Sequence, residues 1–143
     1  MTQIPSRIVY AARASAEGGR HGRARSEDGI LDLALTAPKE TGGAGTGTNP
    51  EQLFAAGYAA CFQGALGLAG KKEGIDTAES VVESAVGFGP EGDSFAITVE
   101  LFATIPGVDA DTAQRLAEDA HELCPYSKAT RGNVPVTVTG QAA

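Results

Sequence analysis

Residues 48–69 read TNPEQLFAAGYAACFQGALGLA, and this stretch decides the fold. Asn49 is a favourable helix N-cap, Pro50 suits the first helical position, and Gln52 stands three residues after the cap, as in a capping box. No charged residue follows Gln52 until Lys71. Because a helix with almost no polar face is typical of a protein interior, the sequence predicts a long helix that runs through the core.

Cys61 lies in the middle of this predicted helix. Side chains at helical spacing form one apolar stripe around it. The stripe consists of Phe54, Tyr58, Cys61, Ala65 and Leu68. The thiol is therefore expected among apolar neighbours, and the question is whether it reacts or only packs.

Length and charge limit the classes of protein that the chain can represent. With 143 residues we expect one domain covering residues 1–143. The formal net charge of −7 disfavours nucleic acid and acidic membrane surfaces as partners. The central apolar run has the length of a membrane span, but its many alanines and glycines are weakly hydrophobic, so we expect a core helix and no membrane association.

The N-terminal residues lack the basic region and the long apolar core of a signal peptide, which indicates a cytoplasmic protein. Cysteines are normally reduced in that compartment. Three roles stay open for Cys61 and Cys124, namely a redox pair, a metal site or inert packing. A metal site has the least support, because His21 and His121 do not complete a clustered ligand pattern.

Three short strands are predicted before the central helix. The first covers residues 7–14 around the β-prone run IVY and ends in a glycine-rich loop. The second covers residues 23–26 and leads to the turn signal DG, after which leucines alternate with other residues over residues 31–36. These segments predict a three-stranded meander.

After the central helix the sequence predicts two strands and a second helix. The strands cover residues 79–88 and 95–104 and are separated by a turn-rich segment. Asp109 or Asp111 can cap the following helix, and Cys124 closes its apolar face.

The C-terminal segment is predicted as a loop followed by a strand. Pro125 disfavours further helix, so we expect a loop over residues 125–133. Valines then alternate from Val134, and Pro135 suggests a strand at a sheet edge. The order βββ-α-ββ-α-β indicates an α+β fold with mostly antiparallel pairing.

A reactive Cys61 needs help to lose its proton. It lies about three turns beyond Pro50, too far for the dipole at the helix N-terminus, and burial alone would raise its pKa. Lowering a thiol pKa from about 8.5 to about 6 takes roughly 3 kcal/mol, which points to a nearby cation. Arg20 in the sequence GGRHG is the best candidate and Arg131 in ATRGN the alternative, although either arginine can simply be solvated or anchor its loop.

Glu51 occupies the second position of the predicted helix, where the helix dipole alone explains a carboxylate. Along a straight helix Glu51 and Cys61 are about 15 Å apart, too far to share a site directly. Two copies of the helix that cross antiparallel near Ala56 and Gly57 would bring residue 51 of one copy beside residue 61 of the other. This geometry predicts a two-fold homodimer with the active site at the interface.

Three sequence motifs are recognisable. They are TNPEQLFAAGYAACFQGAL around Cys61, CPYSKATRGN from Cys124 onward, and GGRHG followed by SEDGILDL. Together they resemble the organic hydroperoxide resistance (Ohr) proteins of the OsmC superfamily, over nearly the whole chain. The resemblance implies an α+β intertwined homodimer in which antiparallel sheets wrap two central helices. It also implies thiol-dependent reduction of organic hydroperoxides, including fatty-acid hydroperoxides.

The resemblance further implies roles for four residues. Cys61 looks like the peroxidatic cysteine and Cys124 like the resolving cysteine. Arg20 and Glu51 look like the arginine and the carboxylate that activate Cys61. No bound cofactor or metal is implied, and the electrons would come from dihydrolipoamide or a lipoylated protein.

Two further expectations concern the mechanism. Glu51 is expected to orient Arg20 through a bidentate pair, and the apolar Phe54 and Tyr58 are expected to favour bulky hydroperoxides over hydrogen peroxide. Two alternatives stay open. One is an OsmC-type peroxidase with other substrates or reductants, and the other is a non-enzymatic protein that responds to redox state or binds a lipid.

Overall fold

A computed structural model describes residues 2–143, which form two compact units that divide between Leu53 and Phe54. The first unit contains three strands, β1 (Ala14–Glu17), β2 (Arg23–Ser26) and β3 (Asp32–Ala34), in an antiparallel sheet of order β1-β2-β3. The predicted three-stranded meander is therefore confirmed. Short 3-10 turns at Gly19–His21 and Lys39–Thr41 complete the regular structure of this unit.

The prediction of the first strand at residues 7–14 is wrong, since β1 begins only at Ala14. Residues 8–13 have no regular secondary structure, and the side chains of Ile8, Val9 and Tyr10 are exposed. The β-propensity of such residues depends on packing against a neighbouring strand. Within residues 2–143 no strand pairs with this segment, so it does not form a strand despite its β-prone residues.

The long helix α1 covers Pro50–Glu73. Its N-cap is confirmed as Asn49, whose Oδ1 accepts a 2.8 Å hydrogen bond from the Gln52 N–H. The Gln52 side chain departs from the capping-box expectation, because its Oε1 accepts from the Thr48 hydroxyl at 2.9 Å. The helix ends at Gly74, whose φ of 69° allows the Ile75 N–H to reach the Gly70 carbonyl at 2.8 Å, as in a Schellman motif.

One face of α1 is buried and the opposite face is exposed, so the expectation of a helix without a solvent face does not hold for the single chain. The buried face consists of Tyr58, Phe62, Ala65, Leu66, Ala69 and Gly70. Leu68, a member of the predicted apolar stripe, is 58% exposed in the single chain. At 100° per residue this buried face is centred near Phe62, so Cys61 lies just outside its edge and Leu68 further beyond it.

α1 is the one helix within residues 2–143 that is long and apolar enough to cross a membrane, with a mean hydropathy of 1.3 over its most apolar window. Only 33% of that window is buried, but the core helix of a soluble protein meets the same criterion. The expectation that the protein does not associate with membranes therefore stays a prediction.

The second unit contains the sheet β4-β5-β6, formed by Val81–Glu91, Ser94–Ile105 and Val136–Ala142. β4 and β5 are antiparallel, whereas β6 pairs with β5 in parallel. The prediction of mostly antiparallel pairing is confirmed, with this last pair as the exception. Parallel neighbours need a crossover, and the helices between β5 and β6 provide it. β6 lies at the sheet edge, as predicted from Pro135.

Two helices occupy the crossover. α2 covers Ala110–Leu123 and is capped by Asp109, which accepts a 2.8 Å hydrogen bond from the Thr112 N–H. The expected loop after it is wrong, because α3 covers Pro125–Thr130. Proline ends a helix but is also favourable at the first position of the next, and Pro125 holds that position here.

The core of the second unit is built from three elements. α1 contributes Tyr58, Phe62 and Leu66. β5 contributes Val99, Leu101, Ala103 and Ile105, and α2 contributes Ala113, Leu116, Ala117 and Ala120. Cys124 belongs to the same cluster, and Cys61 packs against it. The α+β class predicted from the sequence is confirmed, whereas the dimeric arrangement stays a prediction.

Candidate active site

Cys61 and Cys124 lie side by side in the second unit. Their Sγ atoms are 3.6 Å apart, and both residues are free thiols. Cys124 is completely buried and Cys61 is half-buried. Since a disulfide needs an S–S distance of about 2.05 Å, a movement of about 1.5 Å would join them.

The fold places Cys124 at the corner between α2 and α3. It is the C-cap of α2, where its N–H donates to the Ala120 carbonyl at 2.8 Å. It is also the N-cap of α3, where its carbonyl accepts from the Lys128 N–H at 3.0 Å. Cys61 lies about midway along α1. Packing of α1 against the corner between α2 and α3 therefore brings the two thiols together.

Burial raises the pKa of the Cys61 thiol, and this is the largest influence on it. The backbone N–H of Tyr126 donates a hydrogen bond to Cys61 and lowers the pKa in turn, while the Cys124 thiol raises it. The expectation that burial opposes ionisation is thus met. A backbone donor in α3 acts in the opposite direction, and no sequence pattern indicates it.

Arg20 and Glu51 form a bidentate ion pair in the first unit. Arg20 Nη1 donates to Glu51 Oε2 at 2.9 Å, and Nη2 donates to Oε1 at 2.7 Å. Arg20 belongs to a 3-10 turn in which Gly18 and Gly19 have φ angles of 73° and 57°, which residues other than glycine rarely adopt. The turn therefore depends on the GGR sequence.

The pair shifts the pKa of both groups. The Arg20 hydrogen bond lowers the pKa of Glu51, and the Glu51 hydrogen bond raises the pKa of Arg20. The Glu51 side chain is 16% exposed and the Arg20 side chain 42% exposed. Glu51 is therefore ionised at neutral pH and restricts the orientation of the guanidinium.

Arg131 has other partners. Its Nη2 donates to the His121 carbonyl at 2.8 Å and lies 3.7 Å from Glu122 Oε1. Both contacts tie the end of α3 to α2. Arg131, the alternative to Arg20 in the sequence analysis, thus anchors its own loop.

Three aromatic rings pack together beside Cys61. The ring centroids of Phe54, Tyr58 and Tyr126 are 5.7–6.1 Å apart in each pair. Tyr58 is completely buried, whereas Tyr126 is 41% exposed. Gly57 accommodates the Tyr126 ring, because a Cβ at residue 57 would lie 3.3 Å from it.

Tyr126 was missed from the sequence, and the expected role of Tyr58 needs correction. A completely buried Tyr58 offers no surface to a substrate, so the accessible apolar surface beside Cys61 comes from Phe54 and Tyr126.

Within residues 2–143 no three His, Cys, Asp or Glu side chains cluster as metal ligands would.

Comparison with known proteins identifies the class. The profile of the OsmC family, described as OsmC-like protein, matches residues 42–139. An organic hydroperoxide resistance protein of Xanthomonas axonopodis pv. citri is 50% identical over 137 residues, which are 94% of this chain and 96% of that protein.

Solved structures give the same result. The organic hydroperoxide resistance protein of Elizabethkingia anophelis matches with a TM-score of 0.89 and 47% identity, over 95% of this chain and 99% of that one. OhrB of Bacillus subtilis matches with a TM-score of 0.84 and 45% identity, over 95% of this chain and 100% of that one. The fold is thus that of an OsmC-like protein. Within that class, the chain belongs to the organic hydroperoxide resistance (Ohr) family.

Proposed function

We propose that this protein is a thiol-dependent peroxidase that reduces alkyl and fatty-acid hydroperoxides to alcohols, as part of a cytoplasmic defence against oxidative stress. The observation that carries the proposal is the 3.6 Å separation of two free thiols from distant parts of the chain. Membership of a family whose relatives are named for organic hydroperoxide resistance supports the same substrate class.

The first step oxidises Cys61. Its thiolate attacks one oxygen of the hydroperoxide, the O–O bond breaks, and the other oxygen leaves as the alcohol after taking up a proton. Cys61 becomes a sulfenic acid. Cys61 is the better nucleophile of the two because it is half-buried, whereas Cys124 is completely enclosed.

The second step resolves the sulfenic acid. The Cys124 thiol attacks the Cys61 sulfur, water leaves, and a Cys61–Cys124 disulfide forms. The short Sγ–Sγ distance favours this step over further oxidation of Cys61. A dithiol donor then supplies two electrons to reopen the disulfide, and we propose dihydrolipoamide or a lipoylated protein for this role.

Arg20 and Glu51 would activate the thiol. A guanidinium stabilises both the Cys61 thiolate and the negative charge on the leaving oxygen, so its effect is larger in the transition state. Burial raises the pKa of Cys61, so such a cation is needed. The bidentate contact supports a positioning role for Glu51, which orients the guanidinium.

We also propose that the protein is a homodimer. The exposed face of α1 carries small residues, including Ala56, Ala60 and Gly64, which permit close approach of a second helix. Ile8, Val9 and Tyr10 form a further exposed apolar segment. Sedimentation at micromolar concentration should show a dimer, and a monomer alone would contradict this part of the proposal.

The test of function is a turnover assay with cumene hydroperoxide. Dihydrolipoamide should support sustained turnover, and a thioredoxin system should not. Turnover with thioredoxin alone would favour an OsmC-type peroxidase with another reductant. No peroxide consumption with either donor would favour a non-enzymatic redox-responsive or lipid-binding protein.

A further inference from the structure

Cys124 lies midway between two residues that bond to each other. His121 is three positions before it, at the end of α2, and Ser127 is three positions after it, in α3. His121 Nδ1 and Ser127 Oγ are 2.7 Å apart. This hydrogen bond closes the helix corner that carries the Cys124 thiol.

The same serine ties the corner to the helix that carries Cys61. Ser127 Oγ is 2.8 Å from the Tyr58 hydroxyl on α1, and that hydroxyl is 3.1 Å from Thr130 Oγ1. Tyr58 and Cys61 are three positions apart on α1 and therefore neighbours on its surface. A continuous chain of hydrogen bonds thus joins α2 and α3, which flank Cys124, to α1, which carries Cys61.

The donors in this network can be assigned by counting protons. The Thr130 hydroxyl donates to the Ser127 carbonyl at 3.2 Å, so it accepts from Tyr58. Tyr58 has then used its proton and accepts from Ser127, and Ser127 in turn accepts from His121 Nδ1–H. Each of the three hydroxyl protons and the His121 Nδ1 proton is thus donated once. His121 can donate from Nδ1 both as the neutral imidazole protonated at Nδ1 and as the imidazolium.

The network is costly to break. Tyr58 and Ser127 are completely buried and Thr130 is 4% exposed. A buried hydroxyl that loses its partner pays the full cost of desolvation, so the corner is held in one conformation.

We propose that His121 is a positioning residue for the cysteine pair, which through Ser127 holds the corner between α2 and α3 and keeps the Cys124 thiol within bond-forming reach of Cys61. Closure of the disulfide needs only a small movement from the present 3.6 Å separation. A corner that samples other conformations spends less time in this geometry, so the closure step slows. The attack on peroxide involves Cys61 on the rigid α1 and is affected much less.

The experiment uses the aromatic disulfide DTNB, so that its result does not depend on the proposed peroxidase function. The Cys61 thiolate displaces one thionitrobenzoate and forms a mixed disulfide. The Cys124 thiolate then displaces the second thionitrobenzoate and forms the Cys61–Cys124 disulfide. The two electrons lost by the thiols leave on two thionitrobenzoate anions, and the second absorbance phase measures closure.

Three variants of His121 separate the hydrogen bond from the volume of the ring. His121→Phe removes the bond and keeps the ring, His121→Asn can place an amide near the Nδ1 position, and His121→Gln places it at the wrong distance. The second phase should slow about tenfold or more in His121→Phe and His121→Gln and be largely restored in His121→Asn. The first phase should change by less than about threefold in all three.

Gln114→Ala is the matched control on the same helix. It removes hydrogen bonds to the Val138 carbonyl and the Gly140 N–H, far along the chain from the corner, so it weakens α2 without touching Cys124. Its closure rate should equal that of the unchanged protein. Cys124→Ser should release one thionitrobenzoate only.

Two results would overturn the proposal. One is a second phase in His121→Gln within about twofold of the unchanged protein, and the other is slowing in Gln114→Ala as large as in His121→Gln. If His121→Phe does not fold, His121→Gln still tests the proposal, because it keeps a polar side chain at this position. Absence of peroxide turnover beside normal DTNB closure would refute the proposed function and leave the role of His121 standing.

Discussion

Arg20 and Glu51 are joined by two parallel hydrogen bonds of 2.9 and 2.7 Å, although they are separated by 31 positions in the sequence. The pair connects a glycine-rich turn to the first turn of α1. The Glu51 carboxylate thus makes two favourable interactions, one with the Arg20 guanidinium and one with the dipole at the N-terminus of α1. Ionised Glu51 fixes the plane in which the guanidinium lies.

Glu51→Gln should slow the first oxidation of Cys61 by about tenfold or more, because a neutral amide orients the guanidinium poorly. Stopped-flow kinetics with cumene hydroperoxide would measure this. The free energy of unfolding should fall by less than about 1 kcal/mol, since the Arg20 side chain is 42% exposed. Asp32→Asn, which breaks the ion pair with Arg23 in the same unit, is the control and should oxidise at the normal rate.

The Glu51 contribution to stability should also depend on pH. Its folded pKa is lowered from the ordinary value of 4.5, so the unfolded chain takes up the proton first as the pH falls. The contribution is complete above about pH 4.5 and is lost as the pH falls through the lowered pKa. A Glu51→Gln protein that loses stability in acid as steeply as the unchanged protein would argue against this.

The two cysteines should have separable roles. Cys61→Ser should abolish turnover, because no other thiol is accessible to the peroxide. Cys124→Ser should consume about one equivalent of peroxide and then stall as the sulfenic acid. Peroxide consumption in single-turnover and steady-state assays distinguishes the two, and sustained turnover in either variant would refute its assigned role.

Local sequence signals predicted the elements that depend on local contacts. Asn49 and Asp109 were found as helix caps because a cap is satisfied within its own first turn. Ile8, Val9 and Tyr10 were misassigned because strand formation needs a partner that the sequence pattern does not reveal. Pro125 was misread because the same residue that ends one helix is favourable at the start of the next.

The candidate site shows the same division. The apolar periodicity of the predicted helices allows Cys61 and Cys124 to lie close together but does not require it. The longer sequence motifs are needed to indicate that the two cysteines form a pair. Tyr126 was missed because its N–H reaches Cys61 only through the corner that α3 forms. A helix at that corner was not predicted, so no sequence pattern pointed to the donor.

Tyr126 should determine the preference for bulky substrates. Its half-exposed ring packs 6.1 Å from Phe54 and supplies apolar surface beside Cys61. Tyr126→Ala should lower kcat/KM for cumene hydroperoxide by about tenfold, which corresponds to about 1.4 kcal/mol, and change that for hydrogen peroxide little. Tyr126→Phe keeps the ring and should behave like the unchanged protein. Equal losses for both peroxides would contradict this role.

Asn49 should stabilise the whole of α1 through its cap. The residue is 7% exposed, and its Oδ1 accepts from the Gln52 N–H. Asn49→Ala should lower the free energy of unfolding by about 1–2 kcal/mol, whereas Asn49→Asp keeps the acceptor and should cost less. Urea unfolding would measure both, and equal stabilities of the alanine and aspartate variants would argue against the cap.

His121 should make stability depend on pH near neutrality. Burial lowers its pKa from the ordinary value of 6.5, Arg131 lowers it further, and Glu122 opposes the shift. Between the two pKa values the unfolded chain binds the extra proton and the folded chain does not, so stability falls as the pH drops below about 6.5. His121→Asn cannot titrate at residue 121 and should show a flatter dependence of stability on pH between about pH 7.5 and the onset of carboxylate protonation at about pH 5. Urea unfolding of both proteins across this range is the measurement, and identical slopes would show that another group titrates there.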